Sequence, residues 1–386
     1  MLQPIVAGVI GALTGFASSF AIVIAGLRAS GASEQQAASG LLILCLAQAI
    51  LAMVFSWRYR MPLSFSWSTP GAAMLIASEG VTGEFSAAVG AFIVCGVLLA
   101  LTGLWPALGR AMTAIPTPLA SAMLAGILFP MCLAPITAAV DLPMFALPVV
   151  LVWLVLYRLA PRWAVPAAMV VTVIVVGIAA GDQWADGASL LPQFSLVPPT
   201  LDPAVIVSLG VPLYIVTMAG QNVPGFAVLT TFGYPAPPVA PILIGSGLIS
   251  AAGAFVGGHV NNLAALSAAI MAGPDAHPDR DKRWVATFSG GAAYILLGLG
   301  AGAATAVVAA APPVLITAAA GLALFGAFIA ALVSAFGETQ HRLAAAVTFL
   351  VVVSGVVIVG IGSAFWGLIA GGVAMAWLMG RRPSIA

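Results

Sequence analysis

SFSWSTPGAAMLIAS at 64–78 and FVGGHVNNLAALSAAIMA at 255–272 decide the fold. Each passes from a Ser/Gly-rich extended piece, SFSWS at 64–68 or FVGGH at 255–259, into a short apolar segment, 68–78 or 260–272. A helical crossing of a hydrocarbon layer about 30 Å thick needs about 20 residues. Neither segment can cross alone as a helix. Around them lie longer apolar runs at 4–27, 35–56, 84–104, 114–134, 141–158 and 163–181, then 203–222, 238–254, 284–305, 312–335, 340–359 and 361–380. The two short pieces are therefore the third and tenth of fourteen elements, third in each group of seven. Matched interrupted segments in two halves point to an inverted repeat with its binding site at the breaks. The plain alternative is two helices that happen to be short. The expected fold is an all-α polytopic membrane protein: fourteen transmembrane segments in a 7+7 inverted repeat, with broken helices 3 and 10 preceded by short extended segments. The repeats are 1–181 and 203–386, joined by an extracellular linker at 182–202.

Composition requires the bilayer. Of 386 residues, 62% are hydrophobic and 6% charged, with a mean hydropathy of +1.16; soluble proteins carry about 25% charge to cover themselves. A net charge of +1 without a basic stripe gives nucleic acid no electrostatic footprint. Cys45, Cys95 and Cys132 lie singly in apolar runs and read as buried small hydrophobes. The N-terminus lacks a basic region before its apolar run and reads as a first crossing helix rather than a cleaved signal.

Charge tests the count. With both termini cytoplasmic and fourteen crossings, eleven of the twelve Lys and Arg residues fall inside and only Arg28 falls outside. Omitting either short element would invert the later loops and spoil this bias. The loops leave no room for an extramembrane catalytic domain, and no nucleophile triad, carboxylate pair or metal cluster stands out. His277, in the turn at 273–283 beside Asp275 and Asp279, lacks a convincing ligand set for a metal. No enzyme activity and no cofactor are expected.

Non-helical chain at membrane depth survives only when buried or lining a cavity. Ser68 or Thr69 can cap the first half-helix, with Pro70 and Gly71 in its first turn; Asn261 and Asn262 open the second. Two helix N-termini facing each other suit an anion, although the same residues also serve as plain caps. TMAGQNVPG at 217–225 adds Gln221 and Asn222, whose carboxamides need a protein or ligand partner, or sit at the interface as caps. Thr14, Ser18 and Ser19 lie in the first element, where Gly11 and Gly15 permit close helix approach and Phe16 and Phe20 offer apolar walls. His259 stands directly before the second half-helix; it reads either as a proton-exchanging site or as a neutral imidazole fastening the break.

SFSWSTPGAA at 64–73, TMAGQNVPG at 217–225 and GGHVNNLAALSAAI at 257–270 resemble the benzoate/proton symporter family, the benzoate membrane transporters, over essentially the whole chain. The resemblance implies a fold similar to uracil/proton symporters and sulfate-type carriers. A core domain (1–104 plus 203–305) would move against a gate domain (105–181 plus 306–386). The ligand would sit between helices 3 and 10, beside helices 1 and 8. Uracil-type relatives have a ligand-binding glutamate in helix 8; Gln221 and Asn222 stand in that region here and favour an anionic ligand. The implied function is import of benzoate or a similar aromatic monocarboxylate with protons, by alternating access, in a bacterial inner membrane. Thr14, Ser18, Phe20, Ser68, Thr69, Pro70, Gly71, Gln221, Asn222, Val260, Asn261 and Asn262 are the substrate candidates and His259 the proton candidate. Transport of a nucleobase or another small organic anion on the same fold is the alternative, followed by an uncoupled channel. The fold analogy also allows a homodimer.

Overall fold

The computed structural model describes residues 2–80, 82–105, 107–110, 115–180, 191–264, 266–359 and 361–379. The first half comprises α1 (Leu2–Ala29), α2 (Glu34–Tyr59), β1 (Phe65–Trp67), α3 (Thr69–Ala77), α4 (Phe85–Leu104), α5 (Thr117–Asp141), α6 (Pro143–Leu159) and α7 (Pro161–Ala180). The second comprises α8 (Pro203–Thr231), α9 (Val239–Ala254), β2 (Asn261–Leu263), α10 (Leu266–Ala272), α11 in two parts (Trp284–Leu299 and Ala301–Ala310), α12 (Pro313–Phe336), α13 (Arg342–Val353) and α14 (Ser363–Met379). Local chemistry sets several boundaries. Ser33 opens α2 with a capping box: its Oγ accepts from Gln36 N–H at 3.2 Å while Gln36 Oε1 accepts from Ser33 N–H at 2.8 Å.

By length and apolarity six helices among the described residues can cross a membrane: α1, α2, α4, α5, α8 and α12. The α11 pair, bent by 56°, would make a seventh. The fold is thus an all-α polytopic membrane protein, with α6, the apolar part of α7 (Trp163–Ile178), α9, α13 and α14 shorter than full crossings. Boundaries move from the sequence expectation where proline and glycine misled it. The eighth segment continues past Pro224 to Thr231, because Pro224 follows the π-helical stretch Met218–Asn222, where the regular bond ladder is already interrupted and neighbouring groups absorb the lost bond. The segment expected at 340–359 ends its helix at Val353, and 284–305 becomes the bent pair reaching Ala310.

Long-range packing has the pseudo-symmetry of an inverted repeat. The α4–α9 contact is matched by α11–α2, α1–α11 by α8–α4, and α6–α7 by α13–α14, while α5 and α12 pair with each other. The α4–α9 crossing brings backbone against backbone. A Cβ at Gly247 would lie 2.4 Å from both Ala100 N and Gly96 O, so the helices meet this closely only because the residue is glycine.

At the centre, β1 and β2 form an antiparallel pair with Ser66 opposite Asn262. Ser68 N–H donates to Val260 O and Ala264 N–H to Ser64 O, both at 2.9 Å. Two strands leave outer edges that no water can satisfy here, so side chains fill them. Gln48 Oε1 on α2 accepts from Trp67 N–H (3.1 Å), Ser250 Oγ on α9 from Asn261 N–H (2.9 Å), and Asn222 Oδ1 on α8 from Leu263 N–H (2.9 Å).

Residues 182–190 of the expected linker lie outside the described residues; 191–202 have no regular helix or strand. They are tied down by Ser195 N–H to Ser39 Oγ (3.0 Å), Val197 N–H to Phe255 O (2.8 Å) and Thr200 N–H to Ser86 O (2.9 Å). At the opposite face, Arg283 is buried and donates to the carbonyls of Ala272, His277 and Pro278, which fastens the end of α10 to the 273–283 turn. In that turn the Asp279 carboxyl accepts from Asp281 N–H and pairs with Lys282, which hold its pKa below the ordinary carboxylate value.

Candidate functional site

The site is where the start of α3, the strand pair and the middle of α8 meet. Ser68 caps α3: its Oγ accepts from Gly71 N–H at 3.2 Å and from Thr217 Oγ1 of α8 at 2.9 Å. Its carbonyl accepts from Ala72 N–H at 2.8 Å, and Pro70 has no N–H. The first-turn donor left over at α3 is therefore Thr69 N–H. The Thr69 hydroxyl makes no hydrogen bond among the described residues, and the residue is half-buried. Gly71 lets α3 dock: a Cβ there would fall 2.5 Å from Leu213 Cδ1 on α8.

On α8, Met218–Asn222 forms a π-helical stretch, a local widening of the kind found at functional sites. Gln221 and Asn222 thus lie inside a 29-residue helix rather than at its end, which removes the interfacial-cap reading. They differ in use. Asn222 is fully buried and gives Oδ1 to the edge of β2, with Nδ2 donating to Met218 Sδ at 3.5 Å. Gln221 is half-buried and its carboxamide makes no hydrogen bond among the described residues. It lies one turn from both Thr217, which meets Ser68, and Gly225, whose Cβ position faces Leu263. Gly220 beside it faces Leu124 of α5 and Pro70.

The second break departs from expectation. The strand occupies 261–263, not the 255–259 stretch, and α10 begins at Leu266. Asn261 and Asn262 therefore do not open that helix; they pair with β1 because the polar run continues extended until it meets its partner strand. Both are buried, with Asn261 Nδ2 donating to Leu44 O (3.3 Å) and Asn262 Nδ2 to Leu263 O (3.0 Å), while Asn262 Oδ1 has no partner among the described residues. Val260 is buried and its carbonyl belongs to the ladder.

On α1, Ser18 Oγ donates to Gly15 O at 2.9 Å, and the Thr14 hydroxyl makes no hydrogen bond among the described residues. Both share a face with Ala25, at about 100° per residue. Phe20 lies on roughly the opposite face, buried and stacked on Phe16 at 5.2 Å, with Trp67 edge-on to Phe16 at 6.0 Å. The structure thus separates Phe20 from Thr14 and Ser18. Sequence reasoning missed Trp67, whose Nε1–H donates to Ser19 Oγ at 2.9 Å, and Gln48. A lone glutamine in an apolar run was the signal for the latter.

His259 is fully buried, with neither ring nitrogen hydrogen-bonded among the described residues. It meets Phe92 of α4 edge-on at 6.3 Å, and the gap beside it, bounded by Ile43, Leu44, Ser250 and Gly253, is too tight for water. None of these neighbours belongs to α3 or α8.

This chain matches the benzoate membrane transport protein (BenE) family model over residues 1–377. It belongs to that family. Relatives in the family include the inner membrane protein YdcO of Escherichia coli, 40% identical over 96% of this chain and 94% of that protein. The benzoate membrane transport protein of Acinetobacter baylyi is 30% identical over 99% of this chain and 97% of its own. Solved structures share the fold at 15% identity. They include the transmembrane domain of the cyanobacterial bicarbonate transporter BicA (TM-score 0.60, 96% of this chain and 98% of that one). SLC26A9 matches with a TM-score of 0.63 over 97% of this chain and 65% of its own. This family member is a multi-pass transport protein of the bacterial inner membrane and not an enzyme.

Proposed function

We propose that the protein imports benzoate or a similar aromatic monocarboxylate together with protons, by alternating access. The observation that carries this reading is the set of unspent polar groups at the α3–α8 junction. Thr69 N–H and hydroxyl and the Gln221 carboxamide make no hydrogen bond among the described residues, in a site without any ionised side chain there, while Ser68, Thr217 and Asn222 are consumed by the fold. Neutral donors at a helix N-terminus hold a carboxylate without an obligatory counter-charge. A neutral complex of anion plus proton also avoids working against an inside-negative potential, about 2.3 kcal/mol per charge per 100 mV.

In this reading fourteen segments form two inverted repeats, with both termini cytoplasmic. The core (1–104 plus 203–305) moves against the gate (105–181 plus 306–386), and fold analogy supports contact between two copies through the gate. Two cavities at that boundary support the movement. One of about 320 Å³ lies between α3, α8, α5 and the α13–α14 turn. Another of about 230 Å³ lies between the start of α5 and the middle of α8. His259 is the proton candidate, supported by its two unspent nitrogens; normal pH-driven uptake by H259Q would remove it from that role.

Counterflow of radiolabelled benzoate in proteoliposomes tests the substrate. Exchange with benzoate but not with uracil, nicotinate or sulfate is expected, and T69V and Q221L should each weaken it. Absence of benzoate exchange in the folded wild type overturns the reading.

A further inference from the structure

A cavity of about 400 Å³ opens on the face that holds the α1–α2 turn, the end of α3 and the start of α4. Its walls come from the end of α1, α3, the second part of α11 and the start of α12. Ile24, Ile76, Val308 and Ile316 make it apolar, and Arg28 supplies the donors; the Thr305 and Thr317 hydroxyls are spent on the carbonyls of Ala301 and Pro313. Arg28 is also the single basic residue of twelve that the charge pattern puts on this side. Its partner Glu34 lies at 4.0 Å, the outer limit of ion pairing, with the two side chains 44% and 60% exposed. Such a pair contributes little, so its guanidinium can be taken over by a better-placed acceptor. A planar carboxylate offers that acceptor in two parallel hydrogen bonds.

The cavity also leads inward. It shares Ile76 and Glu79 with the 320 Å³ cavity, which continues along α3 to Met74 and meets Ser208 of α8. The lining of the inner cavity ends at Met74, on the same helix as Thr69.

We infer that this cavity is an external capture site for the transported aromatic carboxylate. The Arg28 guanidinium holds the carboxylate and the isoleucine and valine walls hold the ring, before the anion moves inward to the α3–α8 junction. The inference rests on the proposed transport reading and on its orientation of the chain. Two carboxylates share the cavity with Arg28. Glu34 competes for the guanidinium directly, and Glu79 stands at the passage to the inner cavity.

Opposite effects of two substitutions test it. Uptake of radiolabelled benzoate is measured in whole cells, where only the outer face meets added substrate, and efflux from preloaded right-side-out vesicles reports the inner face. Arg28→Gln is expected to raise the uptake KM about five- to tenfold with maximal rate and melting temperature near wild type, Arg28→Lys less so. Glu34→Gln is expected to lower the uptake KM, because it frees the guanidinium. The KM for efflux should stay unchanged in all three. An unchanged uptake KM in R28Q, an equal rise for efflux, or a rise in E34Q overturns the inference. Failure of the wild type to take up benzoate would instead overturn the substrate reading.

Discussion

Asn222 and Gln221 are adjacent carboxamides with opposite fates, and substituting each to alanine separates architecture from recognition. Asn222→Ala removes the acceptor at 2.9 Å from Leu263 N–H and leaves that donor unsatisfied at a position water does not reach. An orphaned buried donor costs about 1–3 kcal/mol. Spread over a chain of this length, that loss lowers the melting temperature by about 1–4 °C. Gln221→Ala removes a side chain without a partner and should leave stability within about 0.5 kcal/mol, while weakening benzoate counterflow. Melting of the detergent-solubilised protein gives the first comparison, and hydrogen exchange at the Leu263 amide localises it: protection should fall in N222A and hold in Q221A. If N222A melts like wild type with Leu263 still protected, the strand edge is satisfied some other way and this account of Asn222 fails. If Q221A melts as low as N222A, its carboxamide is structural as well.

Gly247→Ala should destabilise by more than about 2 kcal/mol, because the added methyl meets the α4 backbone rather than a movable side chain; Gly372→Ala, with nothing within 4 Å, is the neutral control in the same melting assay. Arg283→Gln should cost about 2–4 kcal/mol by stripping charge-assisted bonds from three carbonyls. Limited proteolysis in the 273–283 turn should quicken accordingly, and a wild-type cleavage rate would show that Arg283 does not hold the end of α10. Trp67→Phe removes the bond to Ser19 and should cost about 0.5–1.5 kcal/mol, read as a lower melting temperature.

The bilayer setting and the two interrupted segments follow from the sequence alone. Hydropathy and charge act residue by residue, and the solvent they imply does not depend on the partners a residue finds. The sequence also placed Ser68 as the cap of α3, since a Ser followed by Thr-Pro-Gly has a local reason to start a helix. What only tertiary structure decided is which polar groups remain unspent. Asn222, Asn261 and Gln221 read alike along the chain, yet strand pairing across nearly two hundred positions consumes the first two and spares the third. The start of α10 was misplaced for the same reason: whether Asn261 and Asn262 continue extended or begin a helix depends on β1 lying alongside, and no local propensity records that neighbour. The direction of Phe20 is likewise tertiary: its face of α1 is fixed by Phe16, which stacks on it and meets Trp67 edge-on. A membrane chain shows where it will break; the partners that meet at the break decide which groups stay free for a ligand.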